Sequence, residues 1–362
     1  MSSIIIAELG TAHGGSLSKA EEMIGRAAES GADYAKFQVV FARDIIHPNT
    51  GNVPLPGGDT PLYEVFEKLE RDREFYEKLR SLCDREGIGY LTTPFGPQSW
   101  DLVTEMGAEL IKIASPELNY LPLLEKASNW QKKEAGRALI LSTGVSLLAD
   151  IERALALFAS PKDITLLHCI TSYPAPPEEY NLKLIPHYAA LFGCPAGVSD
   201  HSTDPFIVPL TATALGGTMI EKHFCLSHDG GGLDDPIALE ADDFARMVSE
   251  VREASELSRE EQMKKVEKRL GTDLLNKVLG NGCKRLAPAE AANYGRTNRS
   301  LHALKDLPAG TILTGENTAL LRTEKILTPG LEPKDAPLAL GKKLTRPVAS
   351  GQGITWNDLL TQ

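Results

Sequence analysis

Through roughly the first 225 residues, short β-branched, apolar runs alternate with longer segments whose apolar residues recur every three or four positions. The first pattern is that of buried strands and the second that of amphipathic helices. Strands are predicted at 4–8, 34–39, 89–92, 110–113, 138–142, 164–168, 195–198 and 218–220. Helices are predicted at 18–30, 72–86, 97–106, 122–133, 148–158, 182–191, 203–215 and 241–258. Gly31, Gly87 and Gly107 each stand where a helix stops and a strand is due, which suits a helix-ending residue. Eight consecutive strand–helix units are what an α/β (β/α)8 TIM barrel requires. A doubly wound open sheet shares the alternation, but no GxGxxG follows the first strand.

Two connections exceed the usual two to six residues and are candidate lids: 41–63, with Pro54-Leu-Pro56-Gly-Gly58, and 225–240, with Gly230-Gly-Gly232. From 259 to about 295 the chain becomes charged and then irregular, a linker carrying helical pieces, and short runs with tight-turn residues follow it. The expected division is a barrel at 1–260, a linker at 261–296 and a small, mostly-β domain at 297–362.

Composition changes this picture little. A chain that is 42% hydrophobic and 24% charged is a globular one, and a net charge of −11 excludes a nucleic-acid footprint. An anionic substrate must therefore meet locally placed cations. The cysteines number five, with no CxxC pair, which fits a reducing, cytoplasmic compartment; Cys169 and Cys225 read as small buried hydrophobes. No apolar run is long enough to span a membrane.

The chemistry gathers at the predicted strand ends. Glu8 follows the first strand, Lys36 and Gln38 end the second, Thr93 the third, and Lys112 and Ser115 the fourth. Ser142 and Thr143 end the fifth, His168 the sixth, Ser199 and His201 the seventh, and Glu221 and His223 the eighth. Active sites of such barrels lie at this edge. His201 and His223, just past two neighbouring parallel strands, suit a divalent transition metal. Lys36 and Lys112, facing inward, suit a phosphate or carboxylate, with Thr93, Ser115, Ser142 and Ser199 as neutral donors. The competing reading pairs the lysines with Glu8, Glu117 or Glu221 as structural ion pairs. A Schiff-base lysine is a further alternative. Residue chemistry alone reaches a metal-assisted reaction on a small anionic substrate.

In order along the chain stand Ile6-Ala-Glu8-Leu-Gly10-Thr-Ala-His13, Ala35-Lys36-Phe-Gln38, Thr92-Thr93-Pro-Phe95 and Ile111-Lys112-Ile-Ala-Ser115-Pro-Glu117. Leu141-Ser-Thr-Gly144, His168-Cys-Ile-Thr-Ser-Tyr173-Pro, Ser199-Asp-His201-Ser and Ile220-Glu-Lys-His223-Phe complete the set. Together they resemble the N-acetylneuraminate (sialic acid) synthase family, which includes the pseudaminic and legionaminic acid synthases. The tail resembles that family's antifreeze-like SAF domain.

The resemblance implies condensation of phosphoenolpyruvate with the open-chain aldehyde of an N-acylated amino sugar, with phosphate leaving by C–O cleavage. It implies a divalent metal, commonly Mn2+ with Mg2+ or Co2+ as alternatives, on His201 and His223, polarising the aldehyde. Lys36, Lys112, Thr93, Ser115, Ser142 and Ser199 would hold phosphoenolpyruvate. Glu117 would handle the water proton, Glu221 would stand beside the metal, and Glu8, Gln38, Tyr173 and Asp234 would contact the sugar. Arg322 matches a tail arginine that enters a partner's barrel, implying a domain-swapped homodimer. Ala12 and Thr171 or Ser172 depart from the family pattern, where asparagines are usual, and the 225–240 loop matches no single sugar. The alternatives are a phosphoenolpyruvate aldol synthase acting on a phosphorylated sugar, a pyruvate aldolase, and a non-catalytic glycan-binding protein.

Overall fold

The computed structural model describes residues 2–55 and 58–359; Pro56 and Gly57 of the first long connection, and the last three residues of the tail, lie outside the described residues. The strands are β1 (Ile4–Gly10), β2 (Tyr34–Val39), β3 (Asn52–Leu55), β4 (Gly58–Pro61), β5 (Gly89–Pro94), β6 (Leu110–Ile113) and β7 (Ala138–Ser142). There follow β8 (Ile164–Cys169), β9 (Ala196–Asp200), β10 (Met219–Cys225), β11 (Leu239–Glu240), β12 (Arg299–Ala303) and β13 (Thr318–Arg322). β1, β2 and β5 to β10 pair in parallel, and β1 pairs with β10 to close an eight-stranded TIM-type barrel. β11 extends β10, and β3 with β4 forms a separate hairpin inside the first long connection.

Side chains alternate across a strand, so one inward row sits two residues above the next. The lower row is apolar: Ile6, Leu91, Ile140, Leu167 and Met219 form a buried cluster against Tyr34 and Leu110. Two residues on stand Glu8, Lys36, Thr93, Lys112, Ser142, Cys169, Ser199 and Glu221, all buried and all polar or polarisable. The barrel interior therefore changes from plug to binding surface in one step, in every strand. Around it the outward residues pack on helices such as Arg73–Glu86, whose Asp72 cap accepts from the Phe75 N–H at 3.0 Å and whose Gly87 ends it with φ 69°. That side-chain cap contributes about 1 kcal/mol.

Two expectations need correction here. β9 and β10 run past 198 and 220, so Ser199, Asp200, Glu221 and His223 lie within strands rather than after them. Charged residues continue these strands because Glu221 faces the inner polar row while Lys222 and Asp200 form a buried ion pair at 2.6 Å on the other face. His168 is also on the wrong face for the mouth. Leu167 and Cys169 point inward, leaving His168 buried between the barrel and Tyr180 and Tyr188.

Beyond the barrel, helices Arg259–Leu270 and Thr272–Leu279 pack on the barrel helix Ile207–Ala214, so this charged stretch is part of the barrel's outer layer. Residues 280–298 then run along the barrel mouth. The tail is less β-rich than its sequence predicts: among the described residues it has one antiparallel pair, β12 with β13, and isolated bridges around a small core of Leu301, Leu307, Leu313, Leu344 and Ile354. Turns replace strands because backbones meet directly. A Cβ on Gly330 would lie 2.0 Å from the Leu301 carbonyl oxygen.

Candidate active site

The polar row opens into a cavity of about 400 Å³, roofed by the 225–240 loop, the first long connection and the tail. Its wall includes Glu8, Lys36, Gln38, Thr93, Lys112, Ser115, Ser142, Tyr173, Ser199, His201, Glu221, His223, Asp234 and Arg322. The sequence-predicted residues thus converge, with one exception. Glu117 is fully buried behind Arg322, off the cavity wall, with its carboxylate oxygens 2.7 and 2.9 Å from Nη2 of that arginine.

Parallel register sets the ion pairs. Glu8 is level with Lys36 on one side and His223 on the other. Lys36 lies 3.1 Å from both Glu8 and Glu221, and Lys112 lies 2.9 Å from Glu221, which also accepts from the Ser199 hydroxyl at 2.8 Å. The lysines are therefore paired with Glu8 and Glu221, while Glu117 takes arginines instead. Burial alone would raise the Glu221 pKa, but Lys112 and Lys36 outweigh it and hold the carboxyl well below its ordinary range. Burial, with Glu221 adding to it, pushes Glu8 the other way. Two neighbouring carboxyls with opposed shifts can divide proton-exchanging and charge-holding roles. Around them the hydroxyls of Thr93, Ser142 and Thr171 are buried without a protein partner. Such groups are costly unless a ligand or water completes them.

His201 and His223 stand with ring centroids 5.4 Å apart, and Tyr173 stacks on His201 at 4.2 Å. The Ile170 carbonyl, 2.7 Å from His201 Nδ1, can only accept, so Nδ1 carries a proton; burial opposes a second one, but Cys169 and this bond outweigh it and raise the imidazole to about 9. Burial, then the neighbouring His201 and Lys36, hold His223 neutral. A divalent metal would take His223 as it stands and His201 by displacing its Nε2 proton. Among the described residues no cluster of three or more His, Cys, Asp or Glu is placed to hold one. Such an ion would meet two protein nitrogens here, those of His201 and His223. Cys169, read as an inert hydrophobe, lines this cavity with Sγ 3.7 Å from His201 Nδ1.

The second long loop is pinned rather than loose. Asp235 accepts from the Gly232 N–H at 2.7 Å and Lys19 donates to the Gly230 carbonyl at 2.9 Å, which sets Asp234 on the wall, 3.8 Å from His223. Burial in the pocket, then Glu8, push Asp234 up to about 6, although 38% of its side chain remains accessible to solvent.

In this single chain Arg322 stands at the mouth of its own barrel. β12 and β13 set Arg299 and Arg322 side by side, and both meet Glu117 of their own chain. The preceding segment bonds to strand ends of the same chain, Asn293 to the Thr171 carbonyl at 2.9 Å and Asn298 to the Val145 carbonyl at 3.1 Å. Sequence reasoning missed Arg299, fully buried, and the wall residues Thr171, Asn293 and Thr297. The signals were faint, an arginine opening an alternating run and polar residues in a supposed linker.

A model of the NeuB family matches residues 23–263, and one of the SAF domain matches 298–360. N,N'-diacetyllegionaminic acid synthase of Campylobacter jejuni is 34% identical over 88% of this chain and 90% of its own. Pseudaminic acid synthase of Helicobacter pylori is 30% identical over 98% of this chain and 97% of its own. The crystal structure of the spore coat polysaccharide biosynthesis protein SpsE from Bacillus subtilis covers 100% of this chain and 96% of its own, with a TM-score of 0.80 at 29% identity.

Proposed function

The chain belongs to the NeuB family and is an enzyme of the nonulosonic acid synthase kind, and we propose that it condenses phosphoenolpyruvate with the open-chain aldehyde of an N-acylated amino sugar. The observation that carries this reading is the convergence of Lys36, Lys112, the three unpartnered hydroxyls of Thr93, Ser142 and Thr171, and the histidine pair on one cavity.

Lys36, Lys112 and the hydroxyls bind the phosphate and carboxylate. Ser115 and Ser199 lie on the same wall and orient the enol carbon toward the histidines. Tyr173, stacked on His201, and Asp234 bound the space for the sugar chain. His201 and His223 would hold a divalent metal, Mn2+ being the first to test, which when bound supplies Lewis-acid polarisation of an aldehyde oxygen. The enol carbon bonds to the aldehyde carbon and leaves an oxocarbenium at the phosphate-bearing carbon; water adds there, one of its protons passes to the aldehyde-derived alkoxide, and phosphate departs with its bridging oxygen and the other proton, leaving the keto group. Glu8, the carboxyl raised by burial, exchanges the proton; Glu221, held ionised, keeps both lysines aimed. Glu117, enclosed by arginines, holds Arg322 in place in the mouth.

An acceptor without phosphate fits the outer half best. Asp234 and Glu324 are carboxylates there, Arg322 is taken by Glu117, and Lys325 is bonded to Asn293. The test is phosphate release with a panel of acylated hexosamines and their 6-phosphates, with mass spectrometry of the product and 18O-water labelling. Release needing both substrates, with 18O in the keto acid, is expected; release from phosphoenolpyruvate alone, or 18O in phosphate, would refute the reading.

A further inference from the structure

Val145 follows the β7 end, fully buried, with φ 40°. Left-handed backbone is unfavourable for any residue with a Cβ and more so for a β-branched one. Something must hold it there. Its N–H donates at 2.8 Å to Oε2 of Glu290, and its carbonyl accepts from the Asn298 side chain at 3.1 Å. The same Oε2 accepts from the Thr171 N–H at 2.9 Å, and Oε1 accepts from the Ala287 N–H at 3.2 Å. Glu290 is 1% exposed, and among the described residues no cation forms an ion pair with it. A buried carboxylate satisfied by three backbone donors from separate segments is a clamp.

The loops it clamps carry the anion side of the cavity. Ser142 precedes Val145 by three residues and Thr171 is itself clamped; both hydroxyls are unpartnered. Gly144 lies between them, its N–H on the Ser115 hydroxyl at 3.0 Å. A Cβ there would be 2.3 Å from the Thr171 hydroxyl, so the two loops meet with no room to shift.

We propose that Glu290, in the segment joining barrel to tail, is a positioning residue for the anion-binding loops, holding Val145 in its left-handed state so that the Ser142 and Thr171 hydroxyls converge. This rests on the reading of that side as the phosphoenolpyruvate site. Methionine is the apt substitution, because it keeps much of the volume and removes both acceptors, whereas a glutamine oxygen in the place of Oε2 would still take the Val145 and Thr171 N–H groups.

Three enzymes decide the matter: the wild type, Glu290→Met, and Glu290→Met with Val145→Gly. Glycine takes the left-handed state without strain. In the single variant the KM for phosphoenolpyruvate is expected to rise about tenfold, equivalent to about 1.4 kcal/mol, with the acceptor KM within about twofold, and the added glycine should recover most of that loss. Equal increases in both KM values, no increase, or no recovery with glycine would overturn the proposal. Amide hydrogen exchange adds a readout independent of substrate: 143–146 and 170–172 should exchange faster in Glu290→Met, and unchanged protection would overturn the clamp. If the wild type neither binds nor consumes phosphoenolpyruvate, the functional reading fails by itself, and the exchange data together with binding of inorganic phosphate still decide the role of Glu290.

Discussion

Replacing Arg299 by methionine separates what holds the tail from what the tail contributes to the site. The guanidinium is fully buried and donates to Glu117 at 3.0 and 3.3 Å, to the Ile45 and Leu320 carbonyls at 3.3 Å, and to the carbonyls of Asp44 and Phe95, with its face 4.8 Å from the Tyr120 ring. Methionine keeps much of the volume and removes every donor. Breaking a buried pair on one side costs roughly 3–5 kcal/mol, and orphaned carbonyls about 1 kcal/mol each. Arg322 keeps three bonds to Glu117 and offsets most of the first cost, so the four carbonyls dominate a total of about 4 kcal/mol. With an unfolding entropy of about 2.1 cal/mol/K per residue over 362 residues, each kcal/mol lowers Tm by about 1.3 °C, giving a fall of about 5 °C if the chain unfolds as one unit. Arg322→Met is the control. Its side chain is 12% exposed and Arg299 still neutralises Glu117, so it should cost about 1 kcal/mol or less in stability while lowering turnover strongly. Differential scanning fluorimetry, limited proteolysis at 296–299 and kinetics read both effects. Equal stability losses in the two variants, or a loss below about 1 kcal/mol for Arg299→Met, would refute the assignment of Arg299 as the anchor.

Other outcomes follow from single groups. Thr171→Val removes a buried hydroxyl that has no protein partner, so stability should hold or rise slightly while the KM for phosphoenolpyruvate rises several-fold; no kinetic change would remove Thr171 from the site. Burial, with Lys284 adding to it, lowers His168 to about 3, and burial lowers His302, bonded to the Gly351 carbonyl, to about 4. Both are neutral when folded and protonate near 6.5 when unfolded, so their contribution is complete above pH 6.5 and falls as the medium is acidified toward 4 and then 3. Each should cost about 2 kcal/mol between pH 7 and 5. His302→Asn should shrink the urea-midpoint shift over that step by its share, and an unaltered shift would contradict this. Asp234, at about 6, should make the acceptor KM fall as pH rises through that value, and Asp234→Asn should flatten the dependence.

The barrel was legible because its signals are local and periodic. Strands at 34–39, 110–113 and 138–142 match the structure to the residue, and the helix ends fall within a few positions. Reading failed where periodicity needed a phase. His168 and Cys169 are both apolar-run neighbours, and only the inward position of Leu167 decides which of them meets the cavity. β10 was cut short because its first charge looked like an exit, whereas Lys222 is neutralised by Asp200 across a strand pair. The arginine cluster was out of reach for a different reason. Glu117 and Arg299 are 182 residues apart, and nothing in a turn-rich segment announces which strand ends it will bond. Resemblance supplied Arg322 but assigned Glu117 to a water proton, a role that its two guanidinium partners leave it poorly placed to fill.

Charge balance links the two halves of the cavity and yields a last expectation. In the inner row two lysines face two carboxylates, Glu8 and Glu221, and cancel. In the mouth Arg299 and Arg322 face Glu117, leaving one positive charge, which Asp234 or Glu324 offsets. A multiply charged anion entering this cavity thus meets well-aimed donors but little net positive charge, and desolvating it there is costly. A dication on His201 and His223 would supply the missing charge, so metal and phosphoenolpyruvate should each tighten the other by the same factor, by linkage. A coupling of about 1–3 kcal/mol corresponds to about 5- to 150-fold. Calorimetric titration of chelator-treated protein with phosphoenolpyruvate, with and without Mn2+, and the reverse titration, measure both factors. The expected result is weak binding of either alone, strong binding together, and loss of the coupling in His223→Ala. Equal phosphoenolpyruvate affinity in the two conditions would mean that Lys36 and Lys112 are released from Glu8 and Glu221 on binding, and that the donors alone carry the anion.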